Sequence, residues 1–409
     1  MAQRLTHDIV IVGGGSAGIS TAASLLKRRP ALDIAIIEPS ENHYYQPGWT
    51  MVGGGVFVAP VTCRPMSSVM PRGVHWIRQM VASFQPENNQ VTLEDGTSLA
   101  YRLLIVAPGI RLAWEKVAGL EETLGKNGVT SNYRYDLAPY TWELVKQTKS
   151  GRAIFSQPPM PIKCAGAPQK AMYLSCDAWR ERGCLRDITV EFHNAGGVLF
   201  GVEAYVPALM EYVEKYGIGL NFNSNLVAVD GPARRATFQT AAGEVTRDFD
   251  MLHVVPPQEA PRFVAESPLA AQSGYVDVDQ ATLRHNRYPN VFGLGDAGSM
   301  PNAKTAAAAR KQAPIVAVNA LAVLDGKEPP CDYDGYGSCP LTVERGKIVL
   351  AEFGYGGKLL PTFPTWLIEG TRPRKLSWLL KSEILPWVYW NGMLKGHEWL
   401  VRPAPRPAA

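Results

Sequence analysis

The sequence predicts an α/β protein, and three observations carry that reading. A short apolar strand near the N-terminus runs into a glycine-rich turn and a helix. A second strand, from Arg152 to Ser156, also runs into a turn and a helix. Two further strands, at 101–109 and 287–297, each end in a tight glycine turn. Strands alternating with helices in this way build a parallel sheet with helices packed on it.

At 409 residues the chain is too long for one ordinary core and suits two or three domains. It is 46% hydrophobic and 19% charged, a globular composition. A net charge of +4 is too mild to argue for a nucleic-acid partner. Its six cysteines do not make a disulfide scaffold at this length, and without a CxxC pair no metal is expected. The uncharged stretch Ile9 to Leu26 holds four glycines and three serines. It is therefore read as strand, turn and helix, and not as a membrane span or a leader. The expectation is a soluble or peripheral protein made in the cytoplasm without a cleaved leader.

The first unit is β-α-β: strand Asp8 to Val12, turn Gly13 to Gly18, helix Ala17 to Arg28 and strand Asp33 to Glu38. Its glycines fit G-x-G-x-x-G at Gly13, Gly15 and Gly18. Gly13 permits the tight turn, Gly15 lets the backbone approach a pyrophosphate, and Gly18 lets the helix pack on the strand. The helix N-terminus stabilises phosphate charge, and Ser16 in the turn is a further candidate contact to the cofactor. Glu38 closes the second strand, 20 residues after Gly18, where a carboxylate can bind a ribose diol.

The segment Tyr101-Arg102-Leu103-Leu104-Ile105-Val106-Ala107-Pro108-Gly109 and the strand from Arg287 into Gly295-Asp296-Ala297 resemble the flavin disulfide reductase superfamily. The resemblance covers about residues 7–325. It implies two Rossmann-like domains of the FAD/NAD(P)-binding fold, non-covalent FAD, and a role for Asp296 on the flavin ribityl chain. Lys304 and Thr305 then open an alanine-rich helix, and a lysine at a helix N-terminus suits the anionic edge of a reduced flavin. Pro47, Ala107, Gly109 and Gly295 complete the expected cofactor contacts.

The second unit lacks such glycines. Its turn reads Gln157-Pro158-Pro159-Met160-Pro161, and proline has no N–H to offer a phosphate. This domain is expected to keep the shape without binding NAD(P). The expected division is 1–115 with 285–330 for the cofactor domain, 116–284 for the second domain, and 331–409 for a C-terminal region.

Cys164 precedes a helix in which Pro168 suits the first position, and Lys163 and Lys170 flank it. A thiol so placed has a lowered pKa and reacts as thiolate; a buried loop cysteine is the other reading. Cys339 lies in the glycine-punctuated segment Tyr333-Asp334-Gly335-Tyr336-Gly337-Ser338-Cys339-Pro340-Leu341, read as a turn. Cys176, Cys184 and Cys331 read as structural, Cys63 matches no known motif, and His193 and His253 read as satisfied strand-end histidines.

The segments Pro161-Ile162-Lys163-Cys164-Ala165-Gly166-Ala167-Pro168-Gln169-Lys170 and Tyr333 to Leu341 closely resemble sulfide:quinone oxidoreductases of the kind that includes the mitochondrial enzyme. Tyr44 to Thr50, Met251 to Pro257 and Tyr275 to Asp279 agree with them. The resemblance implies that Cys164 and Cys339 are bridged by a disulfide or trisulfide over the flavin. Sulfide would attack at Cys339 and leave a persulfide there, Cys164 would leave as a thiolate beside FAD, and two electrons would pass to quinone. A sulfur acceptor such as sulfite, a thiol or polysulfide would then take the outer sulfur.

Residues 359–400 hold five of the ten tryptophans, Trp366, Trp378, Trp387, Trp390 and Trp399, interleaved with Arg372, Arg374, Lys375, Lys381 and Lys395. Two short segments, broken at Pro386, are expected to lie in a membrane interface as an amphipathic anchor, with rings in the acyl boundary and cations on headgroups. A dimer interface is the other reading. Phe363 and Trp387 are candidates for a quinone site, and Pro403 to Ala409 reads as a disordered tail. The expected location is the cytoplasmic face of a bacterial inner membrane. Rival readings are a type II NADH:quinone reductase, a sulfide dehydrogenase donating to a c-haem subunit, and a non-catalytic FAD-binding redox sensor.

Overall fold

The computed structural model describes residues 4–406. Strand β1 (Arg4–Val12) lies between β2 (Ile34–Ile37) and β3 (Ser98–Val106), parallel to both, with Ile9 opposite Ile34 and Leu103. Ile9 to Val12 can be continuously apolar because helices and further chain cover both faces of the sheet, and all four are buried. Val74–Ile77 pairs outside β2, and Val291–Gly293 joins β3 in parallel, so the last strand comes from late in the chain. Helix α1 (Ser16–Arg28) follows the glycine turn.

The second sheet is parallel and five-stranded. Strands β4 (Gly151–Gln157) and β5 (Ile188–Asn194) lie side by side in it, with Met251–His253 on the other edge of β4. Helix α2 (Ala167–Glu181) connects them. Every residue of α2 from Ala167 to Trp179 is buried, because the late hairpin β6 (Gly337–Glu344) and β7 (Lys347–Phe353) packs on the helix. A helix with no free face must satisfy its polar groups internally. Gln169 donates to the Leu199 carbonyl at 2.5 Å, Asp177 accepts from the Arg345 N–H at 2.8 Å, and Lys170 turns to sulfur. Helix α3 (Ala306–Leu324), capped by the Thr305 hydroxyl, packs against α1.

The C-terminal region departs from expectation in three places. Cys339 lies in strand β6 and not in a turn; Pro340 is tolerated because the hairpin has only two strands. Pro386 does not separate two segments. Lys375–Leu379, a π turn Leu380–Ile384 and Leu385–Asn391 form one continuous run. The wide turn just before Pro386 accommodates a residue with no N–H and a ring that crowds the carbonyl one turn back. The expected tail is in part fixed: the Arg406 N–H donates to the Pro330 carbonyl at 2.7 Å and its guanidinium pairs with Asp332, while 407–409 lie outside the described residues. Among the described residues no helix is long and apolar enough to cross a membrane.

Candidate active site

The turn after β1 closes tightly because of its glycines. A Cβ on Gly18 would lie 1.9 Å from the Gly13 carbonyl oxygen, so only glycine lets α1 approach the strand. Space above Gly15 is open. Glu38 braces the turn: its two oxygens accept from the N–H groups of Gly14 and Ser40, each at 2.8 Å, and each keeps a further acceptor position. The Ser16 hydroxyl is held at 2.6 Å by Tyr389, whose phenol also lies 2.7 Å from His43 Nε2. The C-terminal run is thereby tied to the glycine turn. Burial holds His43 down to about 4, so its imidazole is neutral.

From this turn a cavity of about 500 Å³ extends between the two sheets to the C-terminal region. Gly13, Gly15, Ser16 and Glu38 line its start, and Pro47, Ala107 and Gly109 its flank. Gly295, Asp296, Lys304 and Thr305 follow deeper in. Gly18 is off the wall, under the helix. The lining that runs from the glycine turn to Thr305, the open space above Gly15 and the helix N-terminus fit an extended dinucleotide. Lys304 donates to the carbonyls of Asp296 and Gly298, both at 2.8 Å, and burial brings it down to about 8. Burial pushes the Asp296 carboxyl up, against the pull of Lys304 and Lys163.

The second-domain turn has become a carrier for a thiol. The Cys164 N–H donates to the Lys304 carbonyl at 2.8 Å, which ties this loop to the first domain at the cavity wall. Cys164 has a left-handed backbone, φ 50°. Two residues further on, Gly166 leaves room for the partner thiol: a Cβ there would lie 2.5 Å from Cys339 Sγ. The two sulfurs are 3.6 Å apart. Cys164 faces the cavity, whereas Cys339 is buried behind it on the α2 side; Ser338 and Pro340, its neighbours along the pleat, face the cavity instead.

Lys170 donates to Cys164 Sγ at 3.0 Å and lies 3.6 Å from Cys339 Sγ. The hydrogen bond from Cys339, then the Lys170 and Lys381 charges, outweigh burial and hold the Cys164 thiol well below its ordinary range. Its thiolate and burial push Cys339 well up. Burial opposes the Lys170 charge, but the two sulfurs win and raise it. The reduced pair is therefore a Cys164 thiolate beside a Cys339 thiol. Lys163 donates to Gln46 Oε1 at 2.5 Å; burial lowers it, against the charges of Asp296 and Cys164, so it acts on Cys164 by charge without a hydrogen bond.

The sequence reading puts Lys381 on the headgroups, and the structure corrects this. The π turn carries it inward to the cavity wall, where burial and Lys170 bring it down to about 7. In the sequence it is one more cation of the aromatic and basic stretch, with no motif to mark it. Glu352 on β7 also lines the cavity, with no motif in the sequence to mark it. Phe363 is on the wall, but Trp387 is not: it is 56% exposed and stacks on Trp399. Trp390, by contrast, is buried in the first core under the Arg64 guanidinium. Cys63 is off the cavity wall and burial raises its thiol. His193 is bonded on both ring nitrogens; His253 accepts from the Asn132 N–H at 2.9 Å, its Nδ1 is unpartnered, and burial lowers it to about 3.

Residues 7–142 match the family described as pyridine nucleotide-disulphide oxidoreductase, and the two-sheet Rossmann-type α/β fold is of that class. The mitochondrial sulfide:quinone oxidoreductase of Dictyostelium discoideum is 43% identical over 95% of this chain and 86% of its own, and that of Mus musculus 39% over 96% and 87%. The crystal structure of the sulfide:quinone oxidoreductase from Aquifex aeolicus superposes with a TM-score of 0.76 at 19% identity, covering 96% of this chain and 92% of that one. The chain belongs to the sulfide:quinone oxidoreductase family.

Proposed function

We propose that the protein oxidises sulfide at Cys164 and Cys339 and passes two electrons through FAD to a membrane quinone. The observation that carries this reading is the lysine-clamped sulfur pair, of which Cys164 lies on the wall of the cavity that begins at the glycine turn. Gly13, Gly15, Ser16 and Glu38 would hold the adenosine diphosphate half of FAD, and Asp296, Lys304 and Thr305 the flavin half. Bound there, FAD supplies a two-electron acceptor beside Cys164.

In the oxidised protein the two sulfurs are bridged. Hydrosulfide attacks the Cys339 sulfur, the bond toward Cys164 breaks, and its electron pair stays on Cys164 as thiolate. The low basicity of Cys164 makes it the better leaving group, and Lys170 holds the charge that forms. Cys339 keeps the added sulfur as a persulfide. A small nucleophile, such as sulfite, a thiol or polysulfide, takes that outer sulfur and leaves Cys339 as thiolate. The bridge would reform as the pair gives up two electrons, which FAD bound beside Cys164 would accept.

The quinone end of the cavity is formed by Phe363, Leu380, Ile384, Leu385 and Val388, under an outer face where Trp366, Leu367, Leu376, Leu379 and Trp387 are all exposed. We place this face in the interface of a quinone-bearing membrane. On the sequence reading that membrane is a bacterial inner membrane; the relatives above are named as mitochondrial. The test is anaerobic addition of sulfide to the detergent-purified protein, followed by a short-chain quinone. The flavin spectrum should bleach and recover repeatedly, and neither Cys164→Ser nor Cys339→Ser should bleach. Bleaching by NADH and indifference to sulfide would overturn the reading.

A further inference from the structure

Reduction of a quinone to quinol takes up two protons as well as two electrons, and the cavity end described above is largely apolar. Its wall holds one buried carboxylate that the sulfur chemistry does not use. Glu352, 5% exposed, lines the cavity from β7. Tyr336 donates to Glu352 Oε1 at 2.7 Å and the Thr362 hydroxyl does so at 2.5 Å. The Thr362 N–H reaches Oε2 at 3.2 Å, and the Tyr336 and Thr362 oxygens lie 2.9 Å apart. Among the described residues no lysine or arginine forms an ion pair with Glu352, so hydroxyl groups hold it and no cation does. A carboxyl held in this way can give up and regain a proton without breaking a salt bridge.

The network also reaches solvent. Thr362 lines the cavity with Tyr336 and Phe363, and its chain neighbours Pro361 and Pro364 are exposed, so the network sits where the cavity wall meets the surface.

We propose that Glu352 is the proton donor to the quinone, recharged from solvent through Thr362. This rests on the quinone reading above. As two electrons arrive on the quinone, the Thr362 hydroxyl that already donates to the Glu352 carboxylate gives it a proton, and Glu352 passes that proton on to a quinone oxygen. A proton from water restores the Thr362 hydroxyl. The second proton of the quinol comes from bulk water or from Lys381, which lines the same cavity end.

The test separates the two half-reactions by stopped flow in the FAD-loaded protein. Flavin reduction by sulfide is timed first, then reoxidation by a short-chain quinone, across pH and in heavy water. Glu352→Gln is expected to slow reoxidation about tenfold or more and to flatten its pH profile, with the sulfide step within about twofold of wild type. Glu352→Asp should restore part of the rate, and Thr362→Val should slow reoxidation with a changed solvent isotope effect. Unchanged reoxidation in Glu352→Gln overturns the proposal. So does equal slowing of both steps, which marks a structural role. Failure of sulfide to reduce the wild-type flavin overturns the sulfide reading itself and is a different result.

Discussion

The Lys170 ammonium lies 3.0 Å from Cys164 Sγ, inside a helix that has no solvent-facing side between Ala167 and Trp179. A lysine is costly to bury unless something negative meets it. The thiolate at Cys164 is that partner.

Lys170→Met is therefore expected to move the ionisation of Cys164 to higher pH. A thiol with a lowered pKa is ionised above that lowered value, so alkylation of the reduced wild type stays fast through neutral pH and falls only in acid. The variant curve should lie to the right. Every tenfold weakening of the thiol as an acid makes alkylation of Cys164 about tenfold slower at pH below the new midpoint. Lys163→Met should move the curve less than Lys170→Met, because its ammonium donates to Gln46 and not to the sulfur.

Gly166→Ala places a methyl group 2.5 Å from Cys339 Sγ. Either the hairpin or the Cys164 loop must shift, at a cost of about 1–3 kcal/mol. Thermal unfolding should show the loss, and sulfide should bleach the flavin far more slowly because the sulfurs no longer meet.

Lys381 gives a pH-dependent stability. Its folded-state value is about 7 and its unfolded value lies near 10.5. Between these values the unfolded chain binds the extra proton, so stability rises with pH across that window. Lys381→Met should be more stable than wild type at pH 6, by on the order of 1–4 kcal/mol, and the gain should shrink as pH rises from about 7 to about 10.5. Denaturant unfolding at several pH values measures it.

The double variant Trp366→Ser, Trp387→Ser removes two exposed rings from the outer face. Binding to quinone-containing vesicles should fall about tenfold or more in a flotation assay, while reduction of the flavin by sulfide in detergent stays unchanged.

What the sequence disclosed divides along a physical line. The glycine turn, Glu38 and the Gly295-Asp296 turn form local structures whose residue types are dictated by the backbone, so their spacing is directly readable. Cys164 and Cys339 are legible only because each sits in a distinctive segment; nothing local states that residues 175 apart meet at 3.6 Å. Lys381 and Glu352 are not legible as cavity residues. One depends on a wide turn that compensates for Pro386, the other on a strand whose partner surface lies elsewhere in the chain. Composition marks the C-terminal region as aromatic and basic, but it does not tell the exposed Trp387 from Trp390, which is buried three residues further on.

The π turn at Leu380–Ile384 also sets an angular phase between two halves of one helix. Upstream it fixes where Leu376 and Leu379 point; downstream it aims Tyr389 and Trp390 into the first core. Deleting a single residue there would restore ordinary helical winding and rotate everything after it by about 100°. Tyr389 would then swing away from Ser16 and Trp390 away from Arg64. In this stretch the number of residues matters as much as their identity: the helix works as a spacer whose length is counted in residues, and the dinucleotide turn is coupled to the outer face through that count.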